Sequence, residues 1–255
     1  MHKINNLLII VLITHNSKDT IVKSIRSTSQ INNSNFKITC ADNYSTDDTV
    51  KIIKNYGGKV YLTRETNFGK LKQFIVSKAT GEWVLVLDSD EEVTPELGSQ
   101  ISKVINSPES KFDGYRIPYR NYCLGKPVTH GGEHYSKLIL FRRGKGRVDP
   151  AWIHEEVTVN GRVGELSGYM NHYSYRSIPQ IFAKFTDYSG RMARKAAENG
   201  EKATLRNLFL HAPHMFWSRF VTSRGYKDGW RGLLLAAAFA YMEQMAYINL
   251  AFRRY

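Results

Sequence analysis

The chain has 255 residues, 42% hydrophobic and 23% charged, a composition that can build a core and excludes a low-complexity chain. Its formal net charge is +13, and the excess sits mainly at the C-terminal end, where residues 176–255 carry 13 Lys/Arg against 5 Asp/Glu. That balance calls for an anionic partner: nucleic acid, anionic lipid or a phosphorylated substrate. Cys40 and Cys123 match neither a metal spacing nor a disulfide framework, so a reducing, cytosolic setting is expected.

Leu7–Ile13 is a short apolar run rich in β-branched residues and reads as a first buried strand. It is too short to span a membrane and lacks the small-residue cleavage site of a signal peptide. Thr14-His15-Asn16-Ser17 is a polar turn at its carboxyl end. A helix is predicted over Asp19–Ser29 and a second strand over Phe36–Cys40. After Asp42-Asn43-Tyr44, Ser45 or Thr46 is placed to cap a helix reaching Asn55, and Gly57-Gly58 closes it. Lys59–Leu62 reads as a third strand, and Asn67 opens a helix reaching Ala79. Strand and helix alternate four times, which predicts an α/β protein with a mostly parallel sheet built from right-handed βαβ units.

The fourth strand begins at Trp83 and ends in Asp88-Ser89-Asp90-Glu91-Glu92. Four acids among five residues are costly unless a cation neutralises them. In an open α/β sheet, ligands bind beyond the carboxyl ends of the strands, which places Asp88 and Asp90 at a ligand site. Hard carboxylate oxygens suit Mg²⁺ or Mn²⁺, ions that bind few protein carboxylates and complete their shell with substrate phosphates. The turns at Thr14, Asp42 and Asp88 can converge on one crevice, with Thr14 and Asp42 holding a base and ribose and the acids holding a diphosphate through metal. No Gly-x-Gly-x-x-Gly and no Walker loop is present, so a nicotinamide dinucleotide or P-loop reading has no support.

Val11-Leu12-Ile13-Thr14-His15-Asn16, Asp42-x-x-Ser45-Thr46-Asp47-Asp48-Thr49, Asn67-Phe68-Gly69 and Leu87-Asp88-Ser89-Asp90-Glu91 together resemble the nucleotide-sugar half of family 2 glycosyltransferases. The resemblance implies the GT-A fold, an inverting transfer, and nucleotide-sugar contacts from Thr14, Asn16, Asp42, Asn67, Lys70, Asp88 and Ser89. It also implies metal ligation by Asp88 and Asp90, and a catalytic part for Asp90. The chain departs from the family pattern at Tyr44, where Gly is frequent, and at Lys70 and Gln73.

Beyond Glu92 the alternation stops. A helix is predicted over Thr94–Ile105, capped by Thr94-Pro95-Glu96 and ended by Ser107-Pro108, with strands over Asp113–Tyr119 and Ser136–Phe141. The Gly-rich stretch His130-Gly131-Gly132-Glu133-His134 joins those strands and is expected to be either a mobile surface loop or a substrate-facing one. Arg142–Arg147 is a basic turn. Phe141–Arg147, His154-Glu155 and His172-Tyr173-Ser174-Tyr175 resemble a narrower group, bacterial transferases that add glucose to the heptose of the lipopolysaccharide inner core. His130, His134, His154 and His172 allow a rival zinc site, but none shows the helical His-Glu-x-x-His spacing.

Residues 178–255 read as three helices, Ile178–Glu198, Lys202–Val221 and Asp228–Phe252. The predicted organisation is a catalytic GT-A domain over 1–175 and a basic helical region over 176–255. In the last helix, Leu233–Met242 gives ten apolar residues, short of a membrane span. It is either core or an interfacial helix with Arg219, Arg224, Lys227, Arg231, Arg253 and Arg254 at anionic headgroups.

These features lead to a metal-dependent inverting transfer, with Mg²⁺ or Mn²⁺, from a UDP-sugar such as UDP-glucose to a lipid-linked glycan such as the lipopolysaccharide core. The expected location is cytoplasmic, peripheral to the inner membrane, with no nucleic-acid partner. Glu155 is the first choice for the base that takes the acceptor's proton, with Asp149 and Glu133 in reserve. The bland alternative pairs Glu155 with Arg142, Arg143 or Arg147. The rival classes are a basic nucleic-acid-binding protein and a UDP-sugar nucleotidyltransferase. The first lacks a recognised module; the second lacks a Gly-rich phosphate loop near strand one.

Overall fold

The structure is a computed structural model that describes residues 7–32, 35–107, 110–152 and 155–254. Pro108 and His154 lie outside the described residues. The elements run β1 Leu8–Thr14, α1 Lys18–Ser27, β2 Phe36–Asp42, α2 Thr49–Asn55, β3 Lys59–Leu62, α3 Phe68–Ser77, β4 Trp83–Asp88, β5 Glu91–Val93, α4 Pro95–Asn106 and β6 Gly114–Cys123. They continue β7 Lys126–Val128, β8 Ser136–Arg142, β9 Gly146–Val148, β10 Val157–Val159, β11 Val163–Glu165, β12 Met170–Tyr175, α5 Ile178–Glu198, α6 Leu205–Trp217 and α7 Gly229–Ala251. The chain forms two compact units, Met1–Tyr119 with Ser136–His172, and Arg120–Tyr135 with Tyr173–Tyr255. Arg120–Tyr135, inside the 1–175 segment of the sequence reading, thus groups with the C-terminal helices.

In the first unit β3, β2, β1 and β4 lie side by side and parallel, in that order. Leu8–Leu12 of β1 and Trp83–Leu87 of β4 are buried, as continuous apolar strands flanked by helices must be. Each such side chain contributes about 1.5–3 kcal/mol by leaving water. The order continues through β8, β6, β12 and β5, with β8 antiparallel to both β4 and β6 and β12 antiparallel to β5. The fold class read from the alternation is therefore the observed one: a mixed, mostly parallel sheet flanked by helices.

Several local expectations shift. β2 runs on to Asp42, because Cys40, Ala41 and Asp42 are all buried in the sheet. Neither Ser45 nor Thr46 caps α2. That helix starts at Thr49, and Ser45 is held by Asp42 while Thr46 is held by Asn16. Glu91–Val93 is a short strand rather than a free acidic loop, since Glu91 and Val93 point inward and pair across to β12. Thr94 caps α4 as its sequence predicts, its hydroxyl accepting the Leu97 N–H at 3.3 Å with Pro95 at the first helical position.

The second unit packs α5 and α7 around Ile181, Phe185, Leu235, Ala238 and Met242, with Cys123, Val128 and Tyr175. The predicted helix over 202–221 is α6 followed by a π-turn at Ser218–Thr222, with Pro213 inside α6. A proline there removes one helix hydrogen bond, and such breaks are where helices change register. The 129–134 stretch is pinned, which corrects the mobile-loop reading. Asp228 accepts the Thr129 and His130 N–H groups at 3.0 and 2.8 Å, Gly131 N donates to Ser223 O at 2.8 Å, and buried Glu133 pairs with Arg219.

Candidate active site

The sheet register brings the three predicted turns level. Thr14 stands opposite Asp42 on β2, and Ile13 stands opposite Asp88 on β4. All three strands run the same way, so their carboxyl ends open on one edge of the first unit.

Asp42 is fully buried. Its Oδ1 accepts the Ser45 N–H at 2.8 Å, and its Oδ2 accepts the hydroxyls of Thr14 and Ser45 at 2.9 and 2.5 Å. The carboxylate thus fixes the turn rather than standing open at the crevice. That turn puts Tyr44 at φ 51, a left-handed conformation costing a side chain about 1–2 kcal/mol, which explains why Gly suits this position. The Tyr44 ring is exposed, with the Arg64 guanidinium carbon 5.3 Å from its centre. Asn16 is also left-handed, at φ 47. Its side-chain oxygen accepts the Thr46 N–H at 2.8 Å, and its own N–H donates to the Ser45 hydroxyl at 2.8 Å. Thr14, Asn16 and Asp42 therefore act together as a clamp between the β1 and β2 turns.

Asn67 is buried as the cap of α3, its side-chain oxygen accepting the Lys70 N–H at 2.9 Å and its amide donating to Pro150 O at 3.1 Å. Gly69 N donates to Ala151 O at 3.0 Å, and a Cβ on Gly69 would sit 2.0 Å from Asp149 O. The Asn-Phe-Gly motif thus ties α3 to the 149–151 segment that leads to Glu155. The Lys70 side chain is exposed. Gln73 accepts the Val148 N–H at 2.8 Å, so this departure from the family pattern also braces that segment.

The acidic centre is organised by Lys72. Its buried ammonium lies 2.9 and 3.0 Å from the two oxygens of Asp88 and 2.7 Å from Glu155 Oε1. Burial opposes the Lys72 charge, but Asp88 and then Glu155 hold its pKa well above the ordinary lysine value. Burial likewise pushes the Asp88 carboxyl up, yet Lys72 and Lys137 outweigh it and keep Asp88 below the usual carboxylate range. Glu91 is the counter-case. It is buried, accepts the Asp88 N–H at 2.9 Å through Oε2, and leaves Oε1 without a hydrogen-bond partner. Burial and the nearby Asp88 charge push its pKa up.

Asp90 stays partly exposed, 3.6 Å from His172 Nε2. Ser89 donates to the Ser17 hydroxyl at 3.1 Å. Asp88, Asp90 and Glu155 are thus brought to one edge of the unit. Two of the arginines proposed as partners of Glu155 are engaged elsewhere: Arg142 pairs with Glu82 and Arg143 donates to Gly81 O at 2.7 Å. Of the reserves for the base, Asp149 is exposed in the first unit, while Glu133 is buried in the second, with Tyr175 OH 3.3 Å away.

Sequence reasoning named Lys70 and missed Lys72. The signal was available, since Lys72 shares the inward stripe of α3 with Leu71, Ile75 and Val76, and a lysine in an apolar stripe needs an acidic partner.

The donor set fits Mg²⁺ or Mn²⁺. Asp90 offers an accessible hard oxygen and Asp88 a second, the small protein share such ions take when phosphates supply the rest. Among the described residues no three His, Cys, Asp or Glu cluster as a metal cage. Both cysteines are buried, which pushes their thiols up to about 12 at Cys40 and about 11 at Cys123, so neither is a thiolate ligand.

The strand order and the carboxylates at the end of β4 match the arrangement that the sequence motifs lead one to expect. The family model of glycosyl transferase family 2 matches residues 9–160, so the chain belongs to that family. It is 27% identical over 241 residues to uncharacterized glycosyltransferases of Rickettsia typhi and Rickettsia prowazekii, covering 90% of this chain and 82% of each relative. Among solved structures, Staphylococcus aureus TarS 1–349 in complex with UDP-GlcNAc is similar at TM-score 0.53 and 14% identity, covering 96% of this chain and 92% of that one. The mannosyltransferase PcManGT of Pyrobaculum calidifontis, in complex with GDP-Man and Mn²⁺, is similar at TM-score 0.54 and 10% identity, covering 97% and 88%.

Proposed function

We propose that this glycosyltransferase moves a hexose, glucose by preference, from a UDP-sugar to a lipid-linked cell-envelope glycan of the lipopolysaccharide-core type, with inversion at the anomeric carbon. The observation that carries the reading is the Asp88–Lys72–Glu155 centre with Asp90 beside it, at the carboxyl end of β4. Asp90 and Asp88 would hold Mg²⁺ or Mn²⁺, which offsets the charge that builds on the departing UDP. The complex of TarS with UDP-GlcNAc supports a UDP-sugar donor, and that of PcManGT with GDP-Man and Mn²⁺ supports a divalent metal.

In this reading Glu155 takes the proton of the acceptor hydroxyl as its oxygen bonds to the anomeric carbon. The bond from that carbon to the UDP oxygen breaks on the opposite face, and a single displacement inverts the centre. Lys72 positions Glu155 by its 2.7 Å contact and balances Asp88. Thr14, Asn16 and Asp42 fix the turn that faces the base, while Asn67, Lys70 and Ser89 complete the donor side. The enzyme works at the cytoplasmic face of the inner membrane, where a lipid-linked acceptor is presented.

A panel of sugar nucleotides with Mn²⁺ tests the donor. A ligand at a hundred times its Kd stabilises the native state by about 2.7 kcal/mol, so UDP-glucose is expected to raise the melting temperature by several degrees, GDP-mannose not at all. A shift with GDP-mannose and none with any UDP-sugar overturns the donor assignment.

A further inference from the structure

The sequence leaves the apolar run of α7 as either core or an interfacial helix. In the structure one face of that run packs inward. Leu235, Ala236, Ala238, Met242, Ala246 and Leu250 are buried within the second unit, although Gly225–Ala251 is long and apolar enough by composition to cross a membrane. The exposed apolar surface lies on α6. No residue of that helix is buried, and Leu205, Phe209, Leu210 and Trp217 are 75, 71, 56 and 61% exposed. Leu205, Phe209, Pro213 and Trp217 recur every four residues and so form one stripe, with Leu210 beside it.

The outward face of α6 is apolar. A helix on a water-facing surface turns its apolar side inward and its polar side out. Half-exposed His211 meets α7, its ring centre 4.6 Å from that of Tyr247 and its Nδ1 3.4 Å from Glu243 Oε1. The outward stripe is aromatic and aliphatic, and Arg206 is the helix's single Lys, Arg, Asp or Glu. The segment after α6 continues in the same manner, with Tyr226, Trp230 and Leu233 all exposed. Exposed Lys202, Arg206, Arg224 and Lys227 flank these side chains, and residues 201–255 carry eight Lys/Arg against three Asp/Glu.

We propose that α6 and the turn after it form a monotopic docking surface for an anionic lipid bilayer, with the Leu205–Phe209–Trp217 stripe entering the headgroup boundary. Charge complementarity selects the occupant. Basic side chains around the stripe meet lipid phosphates, and Trp and Tyr prefer the membrane–water interface. The inference deepens the proposed lipid-linked acceptor but stands on the surface alone.

The test uses the full chain without donor or glycan, mixed with vesicles of phosphatidylglycerol and phosphatidylethanolamine or of phosphatidylcholine alone. Co-sedimentation is expected with the anionic vesicles and to fall at least ten-fold on the neutral ones. The double variant Phe209→Glu with Trp217→Glu is expected to lose at least ten-fold of the anionic binding, while its far-UV spectrum and melting temperature match the parent, since both side chains are already largely exposed. Parent that stays in the supernatant, or a variant that binds as the parent does, overturns the proposal. So does a parent dimer in light scattering that the variant dissolves, because the stripe then covers a second copy of the chain. Mn²⁺-dependent UDP affinity, measured in parallel, should be the same in both proteins. Its absence from the parent would count against the enzyme reading and leave the vesicle result standing.

Discussion

Glu155→Gln is expected to lower transfer to acceptor by about 10²–10⁴-fold, the usual contribution of a general base. The amide keeps the size of the side chain but cannot take a proton at neutral pH. Lys72 retains its bonds to Asp88 in the variant, so the melting temperature should move little. Donor affinity should also hold, because Asp88 and Asp90 are untouched. Three readouts on one protein, turnover, UDP-sugar affinity and melting temperature, separate chemistry from structure. Turnover within a few-fold of the parent removes Glu155 as base and directs the search to Asp149. Turnover, affinity and stability falling together mean that the Lys72–Glu155 bond is structural.

Lys72→Met carries the largest expected effect on stability. The thioether fills much of the lysine's volume but removes the cation held between Asp88 and Glu155. Removing one partner of a buried ion pair costs about 3–5 kcal/mol, and at this chain length each kcal/mol shifts the melting temperature by about 2–4 °C. A fall of about 6–20 °C at pH 7 is therefore expected. The pH dependence follows from the directions of the two shifts. Asp88, held below its unfolded pKa, contributes stability that is present above about pH 4 and lost as pH falls through its folded value. Lys72, held above its unfolded pKa, contributes stability that is present below about pH 10.5 and lost as pH rises through its folded value. The gap between parent and variant should thus be widest between those limits and narrow at both ends. A melting temperature within two degrees of the parent at pH 7 contradicts a buried triad.

How much of this was legible depends on how local the signal is. The βαβ alternation, the carboxyl-end turns at Thr14, Asp42 and Asp88, and the cap at Thr94 each rest on a few neighbouring residues, and each is found. Ile178–Glu198 is found to the residue, because Ser177 caps it and its inward face repeats without a break. Partnerships across long separations were not legible. Lys72 meets Glu155 over 83 positions and His130 meets Asp228 over 98, and no periodicity records either pairing. Asp42 was read as an open ligand for the base, because the sequence shows its place at a strand end but not the two hydroxyls that occupy it. The apolar run of α7 and the apolar stripe of α6 look alike as composition. Only packing shows that α7 buries one face while α6 buries no residue.

A metal-held diphosphate at the acidic end of β4 is tested most directly by calorimetry of UDP binding to the parent and to Asp90→Ala, with and without Mn²⁺. Asp90 is partly exposed and its loss relieves crowding among the acids, so the variant should fold as the parent does. The parent is expected to bind UDP only with Mn²⁺ present, and Asp90→Ala to lose that binding by about 10³-fold, corresponding to the several kcal/mol a metal contributes at a developing phosphate charge. Equal UDP affinity in parent and variant, with Mn²⁺ making no difference to either, would contradict it.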